Sequence, residues 1–371
     1  MKILISIDHL YLHGGVEKVI TSRVNYLVNN YDVDIMILTT EQQNQQPRYP
    51  LDPKIKLVDL GIGYDRKISY FSKTNLQASV KHFFSQKKLL KEYKPDVIIS
   101  VNYNFDHYWF PLIKSNAKLY KERHGSRYAE DQARKKSGFL KKLKFSINDW
   151  IEKKYDAIIV LNEDEKKYVR TNNAFVIPNP VEPQQIHSEL KSNKVIAAGR
   201  ISPVKGFDQL ISAFAIVHKT NPSWILDIYG QDYLDTADQL KCQISALGLE
   251  NVVFLRESVN DLPSLMADYS IYAMSSETEC FPMVLLEALS VGLPVVSYDC
   301  PNGPRNIVSD RKDGILVHQN NIEELAAALN LLMNDEDLRQ KMGDNGRKNV
   351  DRFLPDEIMK RWQTLLNLRH V

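Results

Sequence analysis

Glu279 and Glu287 are separated by seven residues in Ser275-Ser276-Glu277-Thr278-Glu279-Cys280-Phe281-Pro282-Met283-Val284-Leu285-Leu286-Glu287-Ala288. Pro282 suits the first turn of a helix, where a missing N–H breaks no bond. Glu279 then precedes the helix, Glu287 sits inside it, and Phe281, Pro282, Met283 and Val284 form its tip. Helix-tip amides carry partial positive charge and take phosphate oxygens, while carboxylates accept hydrogen bonds from sugar hydroxyls. Together they suit a nucleotide-sugar with its phosphate over the helix tip. Taken alone, two acids near a helix start are also what the helix dipole favours on any surface.

Two further sets follow apolar runs directly. Ala198-Gly199-Arg200-Ile201-Ser202-Pro203-Val204-Lys205-Gly206 places Arg200 and Lys205 on either side of a turn. A guanidinium fork and an ammonium converging there neutralise a diphosphate and stabilise it as a leaving group. His13-Gly14-Gly15-Val16-Glu17-Lys18 opens a helix after the first apolar run. Gly14 and Gly15 permit close backbone approach to a phosphate or sugar oxygen. A plain strand–helix turn would use the same residues, and no Gly-x-Gly-x-x-Gly fingerprint is present.

Residues so far apart in the chain need elements that gather them. Short β-branched runs recur at 2–7, 33–39, 56–60, 96–101, 118–122 and 157–161, then at 194–198, 225–229, 252–255, 271–274, 294–297 and 315–317. Runs this short, apolar throughout and spaced by helical patterns, read as buried parallel strands. The series occurs twice, predicting an α/β protein of two doubly wound Rossmann-like domains facing a central cleft. Ile177-Pro178-Asn179-Pro180-Val181-Glu182-Pro183 cannot continue a helix or central strand, so the domains are expected at 1–178 and 179–353. Residues 354–371 carry Ile358, Trp362, Leu365 and Leu366 at helical spacing, a helix expected to cap the second domain or cross back to the first.

Composition bounds the class. The chain has 371 residues, a quarter of them charged, with 48 Lys+Arg against 46 Asp+Glu and 3 cysteines. That excludes wholesale disorder, a disulfide framework and a zinc pattern. The N-terminus turns polar too soon for a signal peptide and no stretch matches a membrane span, so a cytoplasmic location is expected. The near-neutral total hides a split: residues 1–180 hold 30 basic and 20 acidic side chains, net +10, leaving net −8 for 181–371. Arg134-Lys135-Lys136-Ser137-Gly138-Phe139-Leu140-Lys141-Lys142-Leu143-Lys144-Phe145, running on to Trp150 and Ile151, lies in the basic half. Its apolar interleaving suits the inner face of an anionic membrane, with an ordinary solvated helix as the alternative. No nucleic-acid-binding module is present.

In this order and setting the pieces resemble the retaining glycosyltransferases of family 4, which have the GT-B fold. They are Gly14-Gly15-Val16-Glu17-Lys18, Ile177-Pro178-Asn179-Pro180-Val181, Gly199-Arg200 with Lys205-Gly206, the Glu279–Glu287 pair, and Ala288-Leu289-Ser290-Val291-Gly292-Leu293-Pro294-Val295-Val296. The resemblance implies that Arg200 and Lys205 hold the donor diphosphate and that Glu287 binds the ribose hydroxyls. Glu279 would contact the donor sugar, with the backbone at Phe281, Pro282, Met283 and Val284 helping to hold sugar and phosphate. Gly14 and Gly15 would approach donor phosphate and acceptor from the first domain. His124, in Lys121-Glu122-Arg123-His124-Gly125, fits the family's active-site histidine near the transferred sugar, with a merely structural histidine as the alternative. Cys280 stands where the family often has Gly or Ser.

The same resemblance implies a metal-independent enzyme with no cofactor besides its nucleotide-sugar co-substrate. Asp32-Val33-Asp34 matches the Asp-x-Asp of metal-dependent transferases but begins its run, away from strand C-terminal ends. Ser297-Tyr298-Asp299-Cys300-Pro301-Asn302-Gly303-Pro304-Arg305 looks like a segment of relatives that use UDP-hexoses or UDP-N-acetylhexosamines. The expected acceptor is a glycan or polyprenyl-diphosphate-linked saccharide in bacterial surface polysaccharide assembly. A non-catalytic sugar-nucleotide-binding subunit and a GT-B nucleotide-sugar epimerase remain as alternatives.

Overall fold

The computed structural model describes residues 1–12, 14–101 and 104–368, so His13 of the first glycine segment lies outside the described residues. The chain divides into two units, Met1–Pro178 with Ile358–Val371, and Asn179–Glu357. The first unit holds β1 (Lys2–Ile7), β2 (Asp34–Thr39), β3 (Lys56–Asp59), β4 (Val97–Val101), β5 (Lys118–Glu122), β6 (Ala157–Val160) and β7 (Ala174–Val176). They form one parallel sheet in the order β3-β2-β1-β4-β5-β6-β7. Leu4, Leu38, Ile98, Leu119 and Ile158 meet Leu90, Phe110 and Ile151 of the covering helices in its core.

The second unit repeats the plan with β8 (Lys194–Ala198), β9 (Ile225–Tyr229), β10 (Val253–Arg256), β11 (Ile271–Met274), β12 (Val295–Tyr298) and β13 (Gly314–Val317). Their order is β10-β9-β8-β11-β12-β13, again parallel. Val195, Ala197 and Leu226 of the sheet pack against Leu210 and Phe214 of helix Phe207–His218 and Leu329 of helix Ile322–Asn334. Strands buried on both faces explain why the runs are apolar without alternation.

Both sheets reverse direction of growth beside their first strand, between β1 and β4 and between β8 and β11. The loops leaving two such strands diverge to opposite faces, opening a crevice at their carboxyl ends where ligands bind in doubly wound sheets. The segments after β8 and β11 are the ones that carry Arg200, Lys205, Glu279 and Glu287.

Helix Pro355–Leu366 buries Ile358, Met359, Trp362 and Leu366. Within the first unit the Arg23 guanidinium lies 4.1 Å over the Trp362 ring, and the Tyr120 hydroxyl donates to the Leu365 carbonyl at 3.2 Å. The strand β7 was not among the apolar runs, because three half-exposed residues on a sheet edge give no periodic signal. Asp34 sits at the N-terminal end of β2, paired with Lys56 at 3.1 Å. Among the described residues no helix is long and apolar enough to cross a membrane.

Candidate active site

The chain leaves β8 through Gly199 and makes one 3-10 turn, Pro203–Lys205, before helix Phe207–His218. Gly206 joins them at φ +60, and a Cβ there would stand 2.3 Å from the Ser275 carbonyl oxygen. Only glycine tolerates both conditions, so the loop after β8 can press against the loop after β11. Two hydrogen bonds fasten that contact: Ser275 Oγ donates to the Lys205 carbonyl at 3.1 Å, and the Glu277 N–H to the Val204 carbonyl at 2.8 Å.

The fastening brings Lys205 and Glu279 together. Lys205 Nζ donates to Glu279 Oε1 at 2.6 Å, and Ser276 Oγ donates to the same oxygen at 2.7 Å. Glu279 is held from behind as well. Its N–H reaches the Pro301 carbonyl at 2.9 Å, while its carbonyl accepts from Asn302 and Gly303 at 2.7 and 2.9 Å. A Cβ on Gly303 would lie 2.5 Å from Pro282 Cδ, so the 299–305 loop closes on the helix start only because that residue is glycine.

Helix Met283–Ser290 begins after Pro282, and no side chain caps it. The first amides of an uncapped helix are left to solvent or a ligand. Phe281 and Pro282 are buried at this tip, Met283 and Val284 half-buried, and Glu287 is buried further along. Burial pushes the Tyr272 phenol above its usual range, and the fields of Glu279 and Glu287 add to that, so both carboxylates face one neighbourhood. Burial likewise pushes the Cys300 thiol up to about 12, keeping it protonated beside Glu279 and Lys205. Arg200 behaves differently from its expected partner. It is exposed, with its guanidinium 5.2 Å over the Tyr233 ring, and makes no ion pair among the described residues.

In the first unit, Gly14 precedes helix Gly15–Asn30 in an extended conformation, and this helix too lacks a side-chain cap. A Cβ on Gly14 would stand 2.1 Å from Glu17 Oε2, so the glycine makes room for that carboxylate. Glu17 Oε1 lies 3.3 Å from His9 Nδ1 and raises the imidazole pKa through that contact.

His124 follows β5 with its side chain only 4% exposed, and its Nε2 stands 3.0 Å from Glu122 Oε1. Arg23 grips both oxygens of Glu122 at 2.7 Å each. Burial alone would raise the Glu122 carboxyl, but Arg23 and His124 outweigh it and hold it at about 2. Neither ring nitrogen of His124 has a hydrogen bond of good geometry among the described residues, so its Nε2 meets Glu122 as a close charge contact.

Ser276, Asn302, Gly303, Glu122 and Arg23 were not singled out from the sequence. Glu122 carried a usable signal, because Lys121-Glu122 is a charged pair on a strand whose neighbours β4 and β6 carry no charge. Arg23 did not, since its partner is 99 residues away.

Residues 13–185 match the family described as Glycosyltransferase Family 4, and residues 179–349 match the one described as Glycosyl transferases group 1. The chain belongs to the family 4 glycosyltransferases. Its fold is GT-B. This glycosyltransferase is 28% identical over 363 residues to an uncharacterised glycosyltransferase of Haemophilus influenzae, covering 95% of this chain and 96% of that one. It is 27% identical over 383 residues to the amylovoran biosynthesis glycosyltransferase AmsD of Erwinia amylovora, covering 99% of both. Among solved structures, Anabaena HepE in complex with UDP-glucose superposes with a TM-score of 0.78 at 20% identity, over 99% of this chain and 100% of that one.

Proposed function

We propose that this glycosyltransferase transfers a hexose or N-acetylhexosamine from a UDP-sugar, with retention of anomeric configuration, to a glycan or lipid-linked saccharide of a bacterial surface polysaccharide. The observation that carries the reading is the Lys205–Glu279 pair beside the uncapped start of helix Met283–Ser290, at the carboxyl ends of β8 and β11. A cation, a carboxylate and free helix amides at one switch point are what a sugar diphosphate requires. The likeness to HepE in complex with UDP-glucose and to AmsD supports the donor kind and the biosynthetic setting.

In this reading the second unit holds the donor. Lys205 and the amides of Met283 and Val284 take the diphosphate, joined by Arg200 swung off Tyr233. Glu287 accepts from the ribose hydroxyls and Glu279 from the sugar. The first unit supplies the acceptor side through Gly14, Gly15 and His124.

As the C1–phosphate bond lengthens, negative charge grows on the leaving diphosphate, where Lys205 and Arg200 stabilise it without a metal. An acceptor hydroxyl attacks C1 on the same face, forming the new C1–O bond and passing its proton to the departing phosphate oxygen. No protein carboxylate needs to act as nucleophile. The enzyme works in the cytoplasm in this reading, and the exposed free thiol of Cys242 suits a reducing compartment.

The purified enzyme should be screened against a panel of nucleotide-sugars by thermal shift, then by release of nucleoside diphosphate, with NMR of the product anomer. Stabilisation and turnover with a UDP-hexose, giving the donor's own anomer, is expected. Binding without turnover would instead indicate a non-catalytic subunit, and an inverted product would refute retention.

A further inference from the structure

Helix Phe139–Glu152 turns its apolar side outward. Phe139, Leu143, Ile147 and Trp150 are all exposed, Phe139 at 80% and Trp150 at 60%. At about 100° per residue these four positions fall within roughly 80° of arc, a single stripe. The opposite side is where the acids go. Asp149 takes two bonds from Arg134, at 2.7 and 2.6 Å, and Glu152 is buried against Arg123 and Arg127. The helix is anchored through buried Ile151, Asn148 and Glu152, yet it leaves four large apolar side chains to solvent, where a surface helix ordinarily carries polar ones.

A second helix repeats the arrangement. Leu76, Val80 and Phe84 of helix Lys73–Tyr93 are exposed at positions four apart, and exposed Lys73 and Lys87 extend the same stripe at either end. Helix Asp106–Ile113 packs against both helices and exposes Leu112 at 81%. The two stripes and Leu112 therefore lie on three neighbouring helices of one unit.

The charge around them has one sign. Lys142, Lys153 and Lys154 are exposed on or beside the first stripe, and Lys154 Nζ lies 5.1 Å over the Trp150 ring. In helix Lys73–Tyr93 the one acid is Glu92, in the last turn beside Lys88. Exposed aromatics with long lysine stems fit an interface that is apolar below and anionic above. A second copy presenting the same face would bring lysines against lysines, which opposes self-association.

We infer that helices 73–93, 106–113 and 139–152 form a docking face for the surface of an anionic lipid bilayer, with Phe84, Leu112, Phe139, Leu143, Ile147 and Trp150 entering the acyl boundary. This goes beyond the proposed transfer reaction and does not depend on it. The basic segment around 134–154 was legible in the sequence, but the stripe on helix 73–93 was not.

Co-sedimentation with vesicles tests it. The full chain should bind vesicles of phosphatidylcholine with about a third phosphatidylglycerol at least about tenfold more tightly than pure phosphatidylcholine, and lose that preference at about 0.5 M salt. Leu143→Glu with Trp150→Glu should weaken binding by about tenfold or more while UDP affinity and melting temperature stay unchanged. Should that variant not fold, Lys142→Gln with Lys153→Gln and Lys154→Gln provides a charge-only version expected to weaken anionic-vesicle binding severalfold. Brominated lipid should quench tryptophan fluorescence in the wild type and less so in Trp150→Phe. No binding of the wild type to anionic vesicles, or undiminished binding of the variants, would overturn the inference. So would a wild-type dimer in sedimentation velocity that the double variant abolishes without vesicle binding, which would assign the face to a second copy.

Discussion

The Lys205 ammonium stands 2.6 Å from Glu279 Oε1, joining the loop that leaves β8 to the loop that leaves β11 across the switch point of the second sheet. Glu279 holds the lysine in place; in the proposed reading the donor diphosphate is the stronger anion and shares it. Lys205→Ala should therefore reduce kcat by about 10²–10³-fold, the usual loss for one preorganised stabiliser of developing charge. The effect on donor KM should be smaller. Lys205→Arg should recover part of the rate, because the charge survives while its position shifts. Steady-state kinetics on the three proteins check this.

In the proposed reading Glu287 acts at the other end of the nucleotide. Buried on helix Met283–Ser290, it lies where a ribose hydroxyl pair would donate to its oxygens in the proposed pose. Hydrogen bonds to a charged group contribute about 1.5–3 kcal/mol, so Glu287→Ala should raise the UDP dissociation constant by about 10–100-fold. Titration calorimetry with UDP measures it. A kcat effect far larger than the affinity loss would contradict the assignment.

Gly206 keeps the two loops in contact. At φ +60, with the Ser275 oxygen 2.3 Å from where a Cβ would stand, Gly206→Ala must move one loop off the other. Backbone strain of this kind costs about 1–3 kcal/mol. Urea denaturation should show that loss, and kcat/KM should fall further than stability does because Lys205 moves with the loop.

Acid stability reports on the histidine site. Glu122 falls from its ordinary 4.5 to about 2 because Arg23 and His124 outweigh its burial. A depressed carboxyl stabilises the fold above pH 4.5 and loses that contribution as pH falls toward about 2. Glu152 behaves alike, its burial outweighed by Arg123 and Arg127, whereas burial raises Asp8 and Asp106 so that these two work the other way. Arg23→Met isolates Glu122. It should cost about 3–5 kcal/mol at neutral pH, since a buried charge loses its main partner. The gap to wild type should shrink between pH 4.5 and about 2, measured by urea midpoints.

The sheets were readable because parallel strands buried on both faces are simply apolar, and 194–198, 225–229 and 271–274 coincide with β8, β9 and β11. The strand β7 escaped because Ala174–Val176 is short and half-exposed at an edge. At the site, residue types near strand ends were legible, but pairings were not. Arg200 and Lys205 were expected to converge, yet Lys205 meets Glu279 while Arg200 lies on Tyr233. Which of two cations finds a carboxylate depends on the Gly206–Ser275 contact, and no local pattern encodes that approach. Trp150 and Ile151 were read as one apolar continuation, but adjacent helix positions point different ways, and Ile151 is buried while Trp150 is exposed.

A structure of the enzyme bound to UDP tests the central claim most directly. The diphosphate is expected against Lys205 and the amides of Met283 and Val284, with Arg200 turned from Tyr233 toward it and the ribose on Glu287. UDP bound elsewhere, or lying there with Lys205 still committed to Glu279 and touching no phosphate oxygen, would contradict it.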